Sequence, residues 1–227
     1  MSKLKPKAGA VVLAAGRGKR MGSDINKIYL DLKGKPVIYY SLLKFHDHKL
    51  IEDIVVVINE EDRKIFYELD EKFNFPPAKV VEGGERRQDS SFAGVSVIKS
   101  DLVFVHDAAR PNFNPDILDK LMEVAVENGA SIPGIKPVDT IRKLGKGKAG
   151  EVLSRDRLIK CQTPQCFKSK PLLKALRESI EKGNYYTDDA GVFYASTGIR
   201  PEIVDGDEEN IKLTKPRDLS LLENYLD

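Results

Sequence analysis

The feature that most constrains this chain is an apolar run that passes directly into a glycine-containing, positively charged segment. Residues 8–13 are short, apolar and rich in β-formers, which predicts a buried first strand. Gly16 and Gly18 follow where that strand should end, and their lack of Cβ lets the backbone turn tightly against a ligand. Four cations lie within the eleven residues from position 17, namely Arg17, Lys19, Arg20 and Lys27. A strand that ends in a cationic loop of small residues is typical of phosphate sites in α/β proteins.

Two common phosphate motifs do not fit this loop. A P-loop and a dinucleotide-binding fingerprint both require glycine at the position that Met21 occupies, five residues after Gly16. On spacing alone, an ordinary strand-to-helix loop with solvated basic side chains stays open as an alternative.

A second glycine-rich stretch follows the predicted strand at residues 79–82. Gly83 and Gly84 would end that strand, and Asp89 or Ser90 could cap a helix that continues to Val97. Such a turn presents free N–H groups that suit the polar edge of a ligand. A capped loop without a ligand is the alternative.

Strand and helix patterns alternate along the chain. The run at 54–58 is apolar without interruption, as in strands buried on both faces of a parallel sheet. Further strands are predicted at 102–105 and 203–206, with helices at 37–45, 60–70, 117–125 and 171–182. We therefore expect one α/β domain over residues 1–227, with a Rossmann-like, mostly parallel sheet flanked by helices.

The strand at 102–105 leads into His106, Asp107 and Arg110. Ligands of open α/β sheets bind beyond the carboxyl ends of the strands, so Asp107 should lie beside Gly16. The carboxylate could hold a ribose hydroxyl or help to position Mg²⁺. His106 and Asp107 could also suggest a catalytic pair, but no nucleophile motif accompanies them.

Residues 137–158 interrupt the alternation. Two short extended runs at 139–144 and 151–155, joined by a basic six-residue loop at 145–150, predict a β-hairpin that projects from the core. Because an isolated hairpin is only marginally stable in water, a partner surface would stabilise it. A mobile surface hairpin is the alternative.

Composition excludes several classes of protein. Among 227 residues, 37 Lys and Arg face 35 Asp and Glu, so the net charge of +2 argues against a general nucleic-acid or membrane binder. No apolar stretch is long enough to span a bilayer, and no secretory signal is present. Two cysteines make no disulfide framework, so the cytoplasm is the expected compartment.

The ordered motifs carry a family resemblance. The run from Leu13 to Met21, with Lys27 six residues later, resembles the signature of sugar-phosphate nucleotidyltransferases. His106-Asp-Ala-Ala-Arg-Pro111 is similar to the cytidylyltransferases that activate polyol phosphates, most closely the branch acting on 2-C-methyl-D-erythritol 4-phosphate. Further matches follow in order at 137–140, 163–167, 187–190 and 210–214, so the resemblance covers nearly the whole chain.

The resemblance implies a nucleotidyl transfer with CTP and a polyol phosphate as partners. The acceptor phosphate attacks the α-phosphorus of CTP, and pyrophosphate leaves. A phosphate monoester is mostly a dianion at pH 7, so no general base is needed. Mg²⁺, held mainly by the triphosphate oxygens, is the implied cofactor. The product would belong to isoprenoid precursor synthesis, and ribitol 5-phosphate stays open as another acceptor.

The resemblance also implies roles for individual residues. Arg20 and Lys27 would neutralise the α-phosphate and pyrophosphate, and Arg155 and Lys212 would orient the attacking phosphate, with Arg157 as the alternative to Arg155. The nucleotide would contact Ala14, Ala15, Gly16, Arg17, Gly18, Gly84, Ser90, Asp107 and Ala108. The acceptor would contact Arg110, Thr140 and Thr163. Glu85 departs from the family, which often has Asp there, so its role is open.

The family further implies a two-fold homodimer in which the 137–158 arms interlock. The arm would carry Thr140 towards the neighbour's active site, and the family's equivalent of Arg110 would reach there too. Two other classes stay open: a CTP-sensing domain without turnover, and a dinucleotide-binding oxidoreductase. The cations implied for binding a second phosphate argue against the sensing domain. Met21, at the third glycine position of the dinucleotide fingerprint, argues against the oxidoreductase.

Overall fold

The computed structural model of the chain describes residues 6–16 and 26–226. The strands are β1 (Ala8–Leu13), β2 (Asp31–Leu32), β3 (Lys35–Pro36), β4 (Ile51–Ile58), β5 (Lys79–Glu82), β6 (Leu102–Asp107), β7 (Ala130–Ile135), β8 (Ile141–Gly145), β9 (Lys148–Leu153), β10 (Lys160–Cys161), β11 (Gln165–Lys168) and β12 (Glu202–Asp205). The α-helices are α1 (Val37–His46), α2 (Arg63–Phe73), α3 (Arg87–Val95), α4 (Ile117–Asn128), α5 (Ser169–Glu181), α6 (Asp189–Thr197) and α7 (Arg217–Tyr225).

The central sheet is mostly parallel and has β1 in its interior. Strand β1 pairs in parallel with β4 and with β6, β4 pairs with β5, and β12 pairs with β7. Strand β11 runs antiparallel to both β6 and β7, and β10 runs antiparallel to β7. The predicted fold class, a Rossmann-like α/β sheet flanked by helices, is confirmed.

Two apolar layers enclose the sheet, because alternate residues of each strand face opposite sides. Ala10 and Val12 of β1 pack with α1, α2, α4 and α7, whereas Val11 packs with α3, α5 and α6. Helix α3 lies so close to the sheet that a Cβ on Gly94 would lie 2.3 Å from a methyl group of Val11. The unbroken apolar strands follow from burial on both faces.

Several elements differ from the prediction. A 3₁₀ turn occupies Glu60–Asp62, so α2 begins only at Arg63. Helix α3 begins at Arg87, earlier than expected, because the carboxylate of Asp89 accepts the backbone N–H of Arg86 from within the first turn. Strands β10 and β11 were not predicted, since their short runs lack a strand-like alternation.

The segment before α7 is held by Asp218 in the first turn of that helix. The hydroxyl and the backbone N–H of Thr214 both donate to the carboxylate of Asp218. Asp188 caps α6, since its side chain accepts the N–H of Gly191 at 3.0 Å.

The predicted hairpin is present as β8 and β9, but its loop is shorter than expected. Lys146 and Gly147 form a two-residue turn with φ values of 47° and 75°. The two strands therefore extend into the stretch predicted as a six-residue loop, because a tight turn of this hand matches the twist of a hairpin. Leu144 is 83% exposed on this arm.

Among the described residues, no helix combines the length and apolar content that a membrane span requires.

Candidate active site

The candidate site is a cleft beyond the carboxyl ends of β1, β4, β5 and β6, with a volume of about 840 Å³. The strand ends meet there: Ala14 N–H donates to the Val57 carbonyl at 2.8 Å, and Ala108 N–H donates to the Leu13 carbonyl at 3.0 Å. The cleft lies where open α/β sheets bind ligands. Eight of the residues predicted for the site line it, namely Ala14, Ala15, Gly16, Lys27, Gly84, Ser90, Asp107 and Lys212.

The second glycine stretch forms one wall of the cleft. Ser90 Oγ accepts the N–H of Gly84 at 3.2 Å and lies 3.3 Å from the Arg86 carbonyl, so it holds the loop together. A Cβ on Gly83 would lie 2.6 Å from the Cβ of Ala15, so this approach requires glycine. Glu85 also lines the cleft.

Asp107 is the electrostatic centre of the opposite wall. Its Oδ1 accepts from Arg87 Nε at 3.1 Å, and its Oδ2 accepts from Lys212 Nζ at 2.5 Å. Burial alone would raise the pKa of this carboxyl, but Arg87 and Lys212 lower it well below its usual range. Asp107 is therefore ionised whenever the protein is folded near neutral pH.

Arg87 is a site residue that the sequence reasoning did not assign. Its Nη1 donates to Asp189 Oδ2 at 2.7 Å, so one guanidinium bridges two carboxylates from β6 and α6. A planar guanidinium suits this task because its donors point in fixed directions. The sequence signal that could have identified Arg87 is its position between Gly84 and Ser90 in the glycine-rich stretch at 83–90.

Lys27 begins a 3₁₀ turn and lines the cleft. Its Nζ donates to the carbonyl of Leu213 at 2.5 Å, and Leu213 N–H donates to the Ala109 carbonyl at 2.8 Å. Lys27 thus contacts the short segment, residues 210–214, that carries Lys212. The structure brings these two predicted cations together in one cleft.

Three predicted residues lie behind the cleft wall. Ala108 is buried in the core, and the Thr163 hydroxyl accepts the N–H of Asp107 at 3.1 Å. The guanidinium of Arg110 donates to the Asn210 carbonyl at 2.6 Å. Arg110 thus has a partner within its own subunit, and its reach towards a neighbour's site stays a prediction.

Thr140 and Arg155 lie on the arm and do not line the cleft of their own chain. They share a small separate pocket, and Arg155 Nη1 donates to the Val138 carbonyl at 3.0 Å. Arg155 and its alternative Arg157 begin and end one 3₁₀ turn, where both are exposed. Arg155, unlike Arg157, lines the arm pocket with Thr140. Arg17, Gly18 and Arg20 lie outside the described residues.

The donor set of the cleft is suited to a metal that arrives with phosphate. Among residues 6–16 and 26–226, no cluster of three metal-ligating side chains occurs. Both oxygens of Asp107 are hydrogen-bonded to cations. Mg²⁺ in this cleft would therefore have to be held mainly through phosphate oxygens, which is how this ion commonly binds with nucleotides.

Comparison with known proteins decides the family. The sequence profile of 2-C-methyl-D-erythritol 4-phosphate cytidylyltransferases matches residues 8–227. The chain belongs to this family. A member from Clostridium novyi is 37% identical over 222 residues, 96% of each chain. A member from Bacillus licheniformis is 39% identical over 219 residues, 96% of this chain and 94% of the relative.

Solved structures of family members share the fold. The 4-diphosphocytidyl-2C-methyl-D-erythritol synthase of Anaerococcus prevotii superposes with a TM-score of 0.83 at 27% identity, covering 97% of this chain and 96% of that one. The cytidylyltransferase of Francisella tularensis gives 0.80 at 30% identity, covering 97% and 100%. The predicted family, fold class and cytidylyltransferase activity are therefore confirmed.

Proposed function

We propose that the chain transfers CMP from CTP to 2-C-methyl-D-erythritol 4-phosphate, releasing pyrophosphate, through the residues of this cleft. The observation that carries the proposal is the joining of Lys27, Lys212, Arg87 and Asp107 at the carboxyl ends of the parallel strands. The product, 4-diphosphocytidyl-2-C-methyl-D-erythritol, serves isoprenoid precursor synthesis in this proposal.

The cytidine half of CTP would occupy the wall formed by 14–16 and 83–90. Ser90 fixes the loop that presents Gly84, and Gly83 allows it to approach Ala15 closely. Rigid backbone donors at such an edge discriminate between bases because a wrong base leaves them unpaired. We assign the ribose hydroxyls to the neighbourhood of Asp107, the acidic end of β6.

The chemical step joins two anions, so positive charge is its main requirement. The acceptor phosphate is already a dianion and attacks the α-phosphorus, while the bond to pyrophosphate breaks and pyrophosphate leaves with its electron pair. Lys27 would stabilise charge on the α-phosphate and on the leaving group. Arg20 would do the same from the cationic loop. These are positional and electrostatic contributions, which dominate phosphoryl transfer.

The acceptor phosphate would be held by Lys212, with Arg110 and Thr163 shaping the pocket behind it. Lys212 reaches the cleft already ion-paired to Asp107, so it is oriented before substrate binds. Mg²⁺ would lie on the CTP phosphate oxygens and, when bound, supplies neutralisation along the triphosphate.

A homodimer would complete this site. Thr140 and Arg155 lie together on an exposed arm, away from their own cleft. The arm also exposes apolar side chains, with Val138 68%, Leu144 83% and Val152 47% exposed. We propose that the arms of two subunits pack together and place the partner's copies of Thr140 and Arg155 at the acceptor phosphate. We place this reaction in the cytoplasm.

The deciding experiment measures pyrophosphate release with CTP, Mg²⁺ and either 2-C-methyl-D-erythritol 4-phosphate or ribitol 5-phosphate. Turnover with 2-C-methyl-D-erythritol 4-phosphate, and none with ATP, GTP or UTP, supports the proposal. Turnover with ribitol 5-phosphate alone would keep the mechanism but reject the acceptor. Folded protein that binds CTP without turnover would reject the catalytic role in favour of nucleotide sensing.

A further inference from the structure

His106 is fully buried near the end of β6. It contacts Arg110 and Thr163, two residues assigned to the acceptor side. Its Nε2 lies 3.1 Å from the Arg110 carbonyl oxygen, and its Nδ1 lies 3.1 Å from the Thr163 hydroxyl. Ser41 Oγ lies 3.3 Å from Nε2. The mechanism above gives this histidine no part, although its two ring nitrogens join three separate segments of the chain.

These partners define one protonation state of the ring. A carbonyl oxygen can only accept, so the Arg110 contact requires a proton on Nε2. In the neutral ring Nδ1 then carries a lone pair, and the Thr163 hydroxyl must donate to it. The same hydroxyl oxygen is left to accept the Asp107 N–H at 3.1 Å. The carbonyl, the ring nitrogens, the hydroxyl and the N–H of this relay therefore all have a partner. The other neutral tautomer would set a lone pair of Nε2 against the carbonyl oxygen.

The surroundings of the ring favour the neutral form. Phe45 and Phe113 pack against it, with ring centroids 5.5 Å and 4.8 Å away. Burial lowers the pKa of His106 to about 3, so the ring carries no charge near neutral pH.

We propose that His106 is a positioning residue that fixes the acceptor side of the site as a neutral ring protonated on Nε2. Through Nδ1 and Thr163 it holds the backbone of Asp107, whose carboxylate holds Lys212. Through Nε2 it holds the backbone of Arg110. The base-binding wall at 83–90 meets this network one step further away, through Arg87, which donates to Asp107 Oδ1 at 3.1 Å. His106 contacts Arg110 and Thr163 directly, so it acts more strongly on the acceptor than on CTP. This inference rests on the proposed acceptor side.

Two variants separate the contacts of the ring. In His106→Asn the side-chain oxygen can replace the Nδ1 acceptor, but the donor to Arg110 is lost. In His106→Gln the amide can replace the Nε2 donor, but the acceptor for Thr163 is lost. We expect each variant to raise KM for the polyol phosphate about tenfold, the size of one net hydrogen bond, and to raise KM for CTP by a smaller factor. His46→Gln and His48→Gln are matched controls outside the cleft.

A merely structural role predicts another pattern, in which the two KM values stay unchanged or rise by the same factor. Either result in folded variants would overturn the proposal. If a histidine variant does not fold, the protonation state of the ring is tested in the wild-type protein, which needs no substitution at this site.

Nitrogen NMR of histidine-labelled wild-type protein tests the ring itself. The chain has three histidines, and the two control variants assign the others. We expect the His106 proton on Nε2 and a bare Nδ1. A proton on Nδ1, or on both nitrogens near neutral pH, would overturn the inference. This result needs no turnover, whereas a wild-type protein without turnover would instead reject the proposed function.

Discussion

Lys212 Nζ lies 2.5 Å from Asp107 Oδ2, although the two residues are 105 positions apart in the chain. The contact joins the end of β6 to the segment that precedes α7. It is one half of an ion-pair network, because the other oxygen of Asp107 accepts from Arg87. The cation assigned to the acceptor phosphate is thereby aimed into the cleft before any substrate arrives.

Replacing Lys212 with Met should lower kcat strongly. The lysine would contact phosphate charge in the transition state, and loss of such a donor costs roughly 3–4 kcal/mol, or about 10²–10³-fold in kcat. Steady-state pyrophosphate release measures the effect. Lys215→Met, an exposed lysine three residues along, is the control and should keep wild-type turnover. Equal rates in the two variants would remove Lys212 from the mechanism.

Replacing Arg87 with Ala should destabilise the fold by about 3 kcal/mol, since breaking a buried pair leaves the Asp189 carboxylate uncompensated, whereas Asp107 keeps Lys212. Asp189 is the more affected partner, with a side chain only 1% exposed. Adding Asp189→Asn to this variant should recover part of the loss by removing the orphaned charge. Urea unfolding of the two single variants and the double variant measures the coupling. Strictly additive losses would show that the two side chains do not interact.

Replacing Gly83 with Ala should raise KM for CTP and leave KM for the acceptor unchanged. The new methyl group would meet Ala15 Cβ at 2.6 Å and Ser90 Oγ at 2.7 Å, so the base-binding wall must shift. Gly145→Ala is the control, because a Cβ there meets nothing within 4 Å. Steady-state kinetics with each substrate varied in turn decides the matter. An unchanged KM for CTP would place the nucleotide elsewhere.

Replacing Leu144 with Asp should convert the proposed dimer to a monomer and abolish turnover at the same time. The side chain is 83% exposed on the arm, and a charge there would oppose apolar packing between subunits. Sedimentation analysis reports the oligomeric state. Val126→Asp, at a 40% exposed position on α4, should leave the dimer intact. A fully active monomer of the Leu144 variant would reject a site shared between subunits.

The pKa of His106 predicts a pH-dependent stability. The folded value of about 3 lies below the ordinary value near 6.5, so the unfolded chain binds the proton more tightly. The free energy of unfolding is therefore not reduced by His106 above about pH 6.5. It falls as the pH drops towards 3, with a slope approaching 1.4 kcal/mol per pH unit. The charged groups around the ring are Asp107, Arg110 and Lys44.

His106→Gln should remove that dependence. The difference in free energy of unfolding between wild type and variant should therefore shrink as the pH falls from about 7 to about 5. Urea denaturation across this range measures it. A difference that stays constant with pH would mean that His106 is not held neutral by burial.

The sequence predicted the cleft residues at the strand ends well because their signals are local. Glycines directly after an apolar run mark a strand end, and parallel strands place such ends at one edge of the sheet. Gly16, Gly84 and Asp107 were found in this way, whereas Ala14 and Ala15 came from the family resemblance. The arm was also visible as extended runs, but its turn was misjudged because a two-residue turn at Lys146 and Gly147 depends on local backbone twist.

By itself, the sequence determined the α/β class, the order of the elements, the family and eight of the residues that line the cleft. Only the tertiary structure decided the partners of those residues. Arg87 binds Asp107 and Asp189, and His106 binds Thr163 and the Arg110 carbonyl, across separations of up to 102 residues. Apolar periodicity repeats within a few residues and can be read locally, whereas an ion pair between distant segments leaves no periodic trace and depends on how the elements pack.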